Sequence, residues 1–173
     1  MLTLHSNVLQ KACNGAFKEA RTNTLDLKVD GEDCINAMLQ YFYKLEYKVD
    51  TLLLHVKMVI LADKYNIPQL SEHAMSKFAD RIKCTYEVVD LVAAATLAYD
   101  VEAPTAKIRQ LITQTVTCAG HENACSALIS AQPEIAVDIA KAFNRKINLP
   151  KPAQSASSNS KRRPTYNFGS TTW

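Results

Sequence analysis

Leu52-Leu-Leu-His-Val-Lys-Met-Val-Ile-Leu-Ala-Asp-Lys-Tyr65, continued by Asn66-Ile-Pro68, is the stretch on which the fold turns. A helix drawn over 52–65 is apolar on nearly every side, with His55, Lys57, Asp63 and Lys64 as its polar relief. A helix that is apolar all round is a buried one. This segment is therefore expected at the centre of the molecule, with several neighbours packed on it. Pro68 suits the first position of a following helix, where its missing N–H costs nothing. Leu70, Ala74, Phe78 and Ile82 then recur at the spacing of one buried helical face.

Working outward toward the N-terminus, Ile35, Met38, Leu39 and Phe42 follow the i, i+3, i+4, i+7 pattern of a helix ending near Lys44. Before it, Thr24-Leu-Asp-Leu-Lys-Val29 alternates apolar and polar residues, the period of a half-buried strand. A lone strand leaves a row of unpaired backbone groups, so this one demands a sheet that the rest of the sequence does not supply. Ser6 is placed to cap a short helix over 7–12, and Asn14-Gly15 suits a reversal.

Toward the C-terminus the pattern stays helical. Val88, Leu91, Val92, Ala95 and Tyr99 line one face; Ile108, Leu111, Ile112, Thr115 and Val116 line another, with Pro104 placed to start it. Gly120 separates these from a short helix around Cys125, Leu128 and Ile129. Pro133 opens a last helix carrying Ile135, Ile139, Ala140, Phe143 and Ile147. From Leu149 onward Pro, Ser, Asn and Lys dominate without apolar period, and 149–173 reads as a disordered basic tail.

Composition narrows the functional classes. With 173 residues, 47% hydrophobic and 21% charged, the chain supports one ordinary core. No stretch reaches the roughly 18 consecutive apolar residues of a membrane span, so no membrane partner is expected. The five cysteines are odd in number and scattered, which fits a reducing, intracellular setting, cytoplasmic or nuclear. The net charge is +3, and Lys151, Lys161, Arg162 and Arg163 leave the remainder at −1, so the body offers no basic footprint for nucleic acid. Lys161-Arg162-Arg163-Pro164 has the composition of a nuclear import signal, although a solvated tail accounts for it as well.

Three phrases stand in a fixed order: Lys11-Ala-Cys-Asn-Gly-Ala-Phe-Lys-Glu-Ala20, Ala37-Met-Leu-Gln-Tyr-Phe-Tyr43 and Leu61-Ala-Asp-Lys-Tyr-Asn-Ile-Pro-Gln-Leu70. Together they resemble the second half of a BTB/POZ domain of the fungal type, over about 80 residues. The resemblance implies a mainly α chain in three parts. A partial BTB/POZ α+β domain over 1–83 keeps one strand at 24–29, a helical extension covers 84–148, and the tail covers 149–173. It also implies that the chain is N-terminally truncated relative to the family, whose opening strands and helix do not precede Leu4. Tyr43-Lys44-Leu45-Glu46-Tyr47 has Lys and Leu where the family has Thr and Gly, so a positive φ at Leu45 would cost about 1 kcal/mol or more.

No enzyme is expected. Four glycines, at 15, 31, 120 and 169, build no phosphate loop. His55 and His73 stand alone on their helices, suited to core or rim roles, and neither belongs to a recognisable catalytic dyad. Cys118-x-x-His121-x-x-x-Cys125 offers three zinc donors within eight residues, one short of a closed structural site. It is read as buried thiols beside a surface histidine; neither metal nor cofactor is expected.

The one candidate site comes from the resemblance. Phe17-Lys18-Glu19 is similar to the hydrophobic-x-Glu phrase with which cullin-binding BTB proteins dock the scaffold of a ubiquitin ligase. Phe17 would enter a pocket while Glu19 meets a basic group; the alternative is Phe17 anchoring a loop with Glu19 in solvent. The resemblance thus implies a protein-protein interaction module, in its sharpest form a substrate adaptor for a cullin-RING ligase. A homo-oligomerisation scaffold and a truncated, functionless fragment are the alternatives.

Overall fold

The computed structural model of the chain describes residues 6–15, 18–22, 24–25, 27–84, 86–101, 104–118 and 120–147. Among them run nine α-helices: α1 Asn7–Asn14, α2 Lys18–Thr22, α3 Glu32–Lys44, α4 Leu52–Lys64, α5 Pro68–Arg81, α6 Val88–Asp100, α7 Ala106–Val116, α8 Glu122–Ala131 and α9 Pro133–Ile147. A 3-10 turn at Lys28–Asp30 precedes α3. The tail over 149–173 lies outside the described residues.

α4 is the hub its sequence demands. Leu52, Leu54, His55, Val56, Met58, Val59, Leu61 and Ala62 are all buried along it, and α3, α5 and α6 pack around it. Burying each large aliphatic side chain contributes roughly 1.5–3 kcal/mol, so the position of α4 is set by apolar residues on every side except the narrow stripe that exposes Lys57 and Lys64. α5 starts at Pro68 and buries Leu70, Ala74, Phe78 and Ile82 as one stripe. α6 packs on α7 and α8, and α9 closes over α7 and α8. The buried cluster runs continuously from Leu9 to Ile139.

Several starts follow their chemistry. Ser6 Oγ accepts the Leu9 N–H at 3.1 Å, capping α1, and donates to the Tyr65 carbonyl beyond α4. α7 begins two residues later than Pro104, because Thr105 turns inward and donates from Oγ1 to the Ala98 carbonyl at 2.7 Å. α9 buries Ile135 and Ile139, but Ala140 and Phe143 face solvent. Its apolar stripe outlasts the neighbours available to cover it.

The expected strand at 24–29 is not there. Among the described residues there is no strand, and the reading as part of an α+β domain with one remaining strand fails; mainly α stands. The alternation at Leu25 and Leu27 is real, since both are half-buried against the core. Its cause is a loop lying on helices, not a pleat. No described strand lies beside it to take its backbone groups, so the chain tightens instead: the Asp30 N–H donates to the Leu27 carbonyl at 3.1 Å. Asp30 then pins the loop, accepting from the Lys64 ammonium and from the Tyr65 hydroxyl at 2.7 Å. Burial works to raise the Asp30 carboxyl, but those two donors outweigh it and hold it below the ordinary range. Val29, the third apolar residue of the alternation, is 94% exposed. With the strand goes the need for a missing sheet.

α3 ends as its sequence warned. Leu45 sits at φ 55, ψ 24, in the left-handed region, and its N–H closes the helix on the Tyr41 carbonyl. A non-glycine residue pays about 1–2 kcal/mol there, while glycine loses roughly 0.4–1 kcal/mol more backbone entropy on folding. Leu45 is mostly exposed, so little packing opposes the change. Leu45→Gly is therefore expected to stabilise the chain by roughly 0.5–1 kcal/mol, read as a higher urea midpoint at unchanged m.

Candidate functional site

Of the three residues singled out in the sequence, the structure describes two. Phe17 lies outside the described residues. Lys18 opens α2 and is exposed, and Glu19 is half-buried in the first turn of that five-residue helix. Local bonds hold the segment: Thr22 Oγ1 donates to the Lys18 carbonyl at 3.0 Å, and the Thr24 N–H to the Glu19 carbonyl at 3.3 Å.

Immediately after α2 the loop that replaces the strand opens a groove of about 620 Å3, lined by Thr24, Leu25, Leu27, Gly31, Glu32, Ile35 and Asn36. Leu25, Leu27 and Ile35 form its apolar floor, and Thr24, Glu32 and Asn36 an exposed polar rim. Gly31 stands at φ 80 where loop becomes helix, with open space around it. An apolar floor inside a polar rim is a lining common to protein-binding patches and small-molecule clefts. The sequence reading missed it, because it assigned Leu25 and Leu27 to a sheet. The half-period of apolar residues was the available signal.

The titratable clusters elsewhere are built into the scaffold. His55 is fully buried, with Nδ1 2.8 Å from the Tyr47 hydroxyl and Nε2 3.1 Å from Asp50 Oδ1. A carboxylate only accepts, so Nε2 carries the proton and Nδ1 accepts from the phenol. Burial pushes the His55 imidazole below its ordinary value, against the pull of Asp50. Burial likewise pushes the Tyr47 phenol up. His73 is packed between the rings of Tyr41 and Tyr47, at 5.3 and 5.5 Å. Lys77 binds Glu46 and lies over the Tyr47 ring. These groups brace the turn from α3 to α4, and the Tyr47–His55 pair is sealed from solvent.

The three potential zinc donors also have separate occupations. His121 Nδ1 is 2.6 Å from the Tyr86 hydroxyl, with the two rings stacked. Cys118 Sγ donates to the Gln114 carbonyl at 3.3 Å. Cys118 is exposed and Cys125 half-buried, so the reading of two buried thiols is corrected: helix α7 ends at Val116, which leaves Cys118 outside the packed face. Among the described residues no three His, Cys, Asp or Glu side chains converge as a metal-binding set, and no helix is long and apolar enough to cross a membrane. All five cysteines are unpaired.

Comparison of the chain with models of protein families, with curated proteins and with solved structures yields no match.

Proposed function

We propose that the chain is a protein-interaction module of the BTB/POZ kind, and in its sharper form an adaptor that holds a cullin-type scaffold through the groove beside α2. The observation that carries this reading is the groove itself, with its apolar floor of Leu25, Leu27 and Ile35. The hydrophobic-x-Glu phrase lies directly before it in the chain, so Phe17 and Glu19 would meet the same partner. The unpaired thiols support a reducing intracellular setting. Every buried titratable side chain described above has a bracing role, which leaves surface recognition as the activity best supported.

The test is binding of the full chain to a purified cullin N-terminal domain by biolayer interferometry. Phe17→Ala and, independently, Asn36→Arg at the groove's exposed rim are each expected to weaken binding at least about tenfold while leaving the melting temperature unchanged. Absence of wild-type binding, or binding indifferent to both substitutions, would sink the adaptor reading.

Self-association is the second reading, favoured by Ile129 at 45%, Val137 at 53% and Phe143 at 42% exposure on the last two helices. Sedimentation equilibrium separates the two: a dimer weakened by Phe143→Ser and unaffected by Asn36→Arg belongs to the scaffold.

A further inference from the structure

The end of α7 and the helices α8 and α9 enclose an apolar cleft of about 620 Å3, lined by Val116, by Cys125 and Ile129 on α8 and by Phe143 on α9. Val116 is buried and Cys125 half-buried, while Ile129 and Phe143 remain exposed. Lys146, three residues beyond Phe143, ties the mouth together: its ammonium donates to the Thr117 carbonyl at 3.0 Å and stands 3.6 Å from Cys118 Sγ. With Glu122 also at the edge, the mouth carries one charge of each sign, so the cleft selects by apolar contact and not by charge. Ser126 and Ser130 add exposed hydroxyls at the rim.

The chain itself supplies an occupant. Residues 148–173, which lie outside the described residues, continue directly from Ile147 at the end of α9. Between Pro150 and Pro164 they carry no apolar side chain larger than alanine apart from Pro152, but Tyr166-Asn-Phe168-Gly-Ser-Thr-Thr-Trp173 then brings three aromatics, among them the chain's single tryptophan. Aromatic side chains bury the most apolar area, and Tyr and Trp keep a polar tip that needs a partner. Phe143 precedes Ile147 by about one helical turn, roughly 6 Å along the axis. A flexible chain of the length of 148–165 has an r.m.s. reach of roughly 20 Å or more, so the cleft is within reach of 166–173. Tethering at that length gives an effective concentration in the millimolar range. A contact of only millimolar strength is then half-formed within one molecule, whereas a second copy would have to reach the same concentration to compete.

We propose that residues 166–173 fold back onto this cleft, where Tyr166, Phe168 and Trp173 cover Ile129 and Phe143, with Ser126 and Ser130 placed to take the polar tips. The seated segment uses the same two apolar side chains that self-association would use, so the fold-back opposes that association. The cleft shares no residue with the groove beside α2, and the adaptor reading stands or falls separately.

Because Trp173 is the only tryptophan, its fluorescence in the full chain is the test. Emission is expected to be blue-shifted relative to a synthetic peptide of residues 164–173, and to stay so across a hundredfold dilution. Phe143→Ser and, independently, Ile129→Ser are expected to move it to the emission of the peptide while leaving the circular dichroism of the helices unchanged. In the same variants N-ethylmaleimide is expected to modify Cys118 several times faster, while Cys84, an exposed thiol in a different recess, reacts at its wild-type rate. Wild-type emission equal to that of the peptide overturns the proposal, as does a blue shift indifferent to both substitutions or abolished instead by Asn36→Arg in the groove beside α2. A blue shift that fades on dilution also overturns it, assigning the cleft to a second copy of the chain.

Discussion

Replacing Asp90 by alanine is expected to lower the folding free energy by about 2–3 kcal/mol. Asp90 lies in the first turn of α6, yet its carboxylate reaches the start of α4, accepting the Leu52 N–H at 2.7 Å and the Leu53 N–H at 3.1 Å. The next free donor, the Leu54 N–H, is taken by Thr51 Oγ1 at 3.2 Å. The central helix therefore enters the core with its first-turn donors satisfied, two of them by a side chain 38 and 37 residues downstream in the sequence. Charged acceptors make the stronger hydrogen bonds, and this one also opposes the positive end of two helix dipoles. Alanine would leave two N–H groups facing a mostly apolar environment. An asparagine side chain keeps one of the two acceptor oxygens, so Asp90→Asn is expected to cost about half as much. Urea denaturation followed by circular dichroism measures both. Since the buried cluster is continuous from Leu9 to Ile139, the loss is expected as one transition moving whole; two transitions with only the later helices destabilised would contradict that.

The sequence made the helices legible where local chemistry alone decides them. Pro68 and Pro133 mark their helix starts, Ser6 its cap, and the stripe from Leu70 to Ile82 its buried face. Each depends on residues within a turn or two of one another. The segment at 24–29 was misread because alternation reports which side of the chain is covered, not what covers it. Leu25 and Leu27 alternate against helices as they would against a second sheet. Only the presence of a pairing strand distinguishes the cases, and that is a tertiary fact.

The same limit governs the polar contacts that hold the candidate surfaces in place. Asp90 at the start of α4, Asp30 beneath Lys64 and Tyr65, and Tyr86 on His121 each join residues more than thirty apart. No periodicity marks them. Leu45 is the counter-example: the resemblance set it where the family carries a glycine, which raised a positive φ there as a condition, and the residue does stand at φ 55. Of the proposed cullin-type phrase, the sequence supplied the residues, and the structure shows an apolar groove that begins at Thr24, five residues after Glu19 in the chain, which the phrase did not foretell. His55 left a fainter mark, as the one uncharged polar side chain in a run over 52–64 that is otherwise broken only by Lys57, Asp63 and Lys64.

That mark carries the second large effect. His55→Leu is expected to cost about 2–4 kcal/mol, although it places an apolar residue in a core position. The substitution strands the Tyr47 hydroxyl, buried and bonded to His55 Nδ1; Asp50, which is half-exposed, returns to water. An unpaired buried hydroxyl costs about 1–3 kcal/mol, and the mismatch in shape adds the rest. Removing both partners should repair most of the damage, so Tyr47→Phe combined with His55→Leu is expected to be more stable than His55→Leu alone, a coupling measurable in a double-mutant cycle. The pair also sets a pH dependence. Burial lowers the His55 pKa from its ordinary 6.5, outweighing the opposing Asp50 hydrogen bond and charge, with Lys77 adding to the lowering and Asp90 opposing it. The unfolded chain therefore binds a proton that the folded chain refuses as pH falls through 6.5. Stability is fully present above that value and declines below it, at up to about 1.4 kcal/mol per pH unit for one proton, until the lowered folded pKa is reached. Urea midpoints taken from pH 7.5 down to 5 are expected to fall in the wild type and to fall much less in the double variant. Equal slopes in the two would mean that His55 takes up its proton inside the fold, with Asp50 dominating burial.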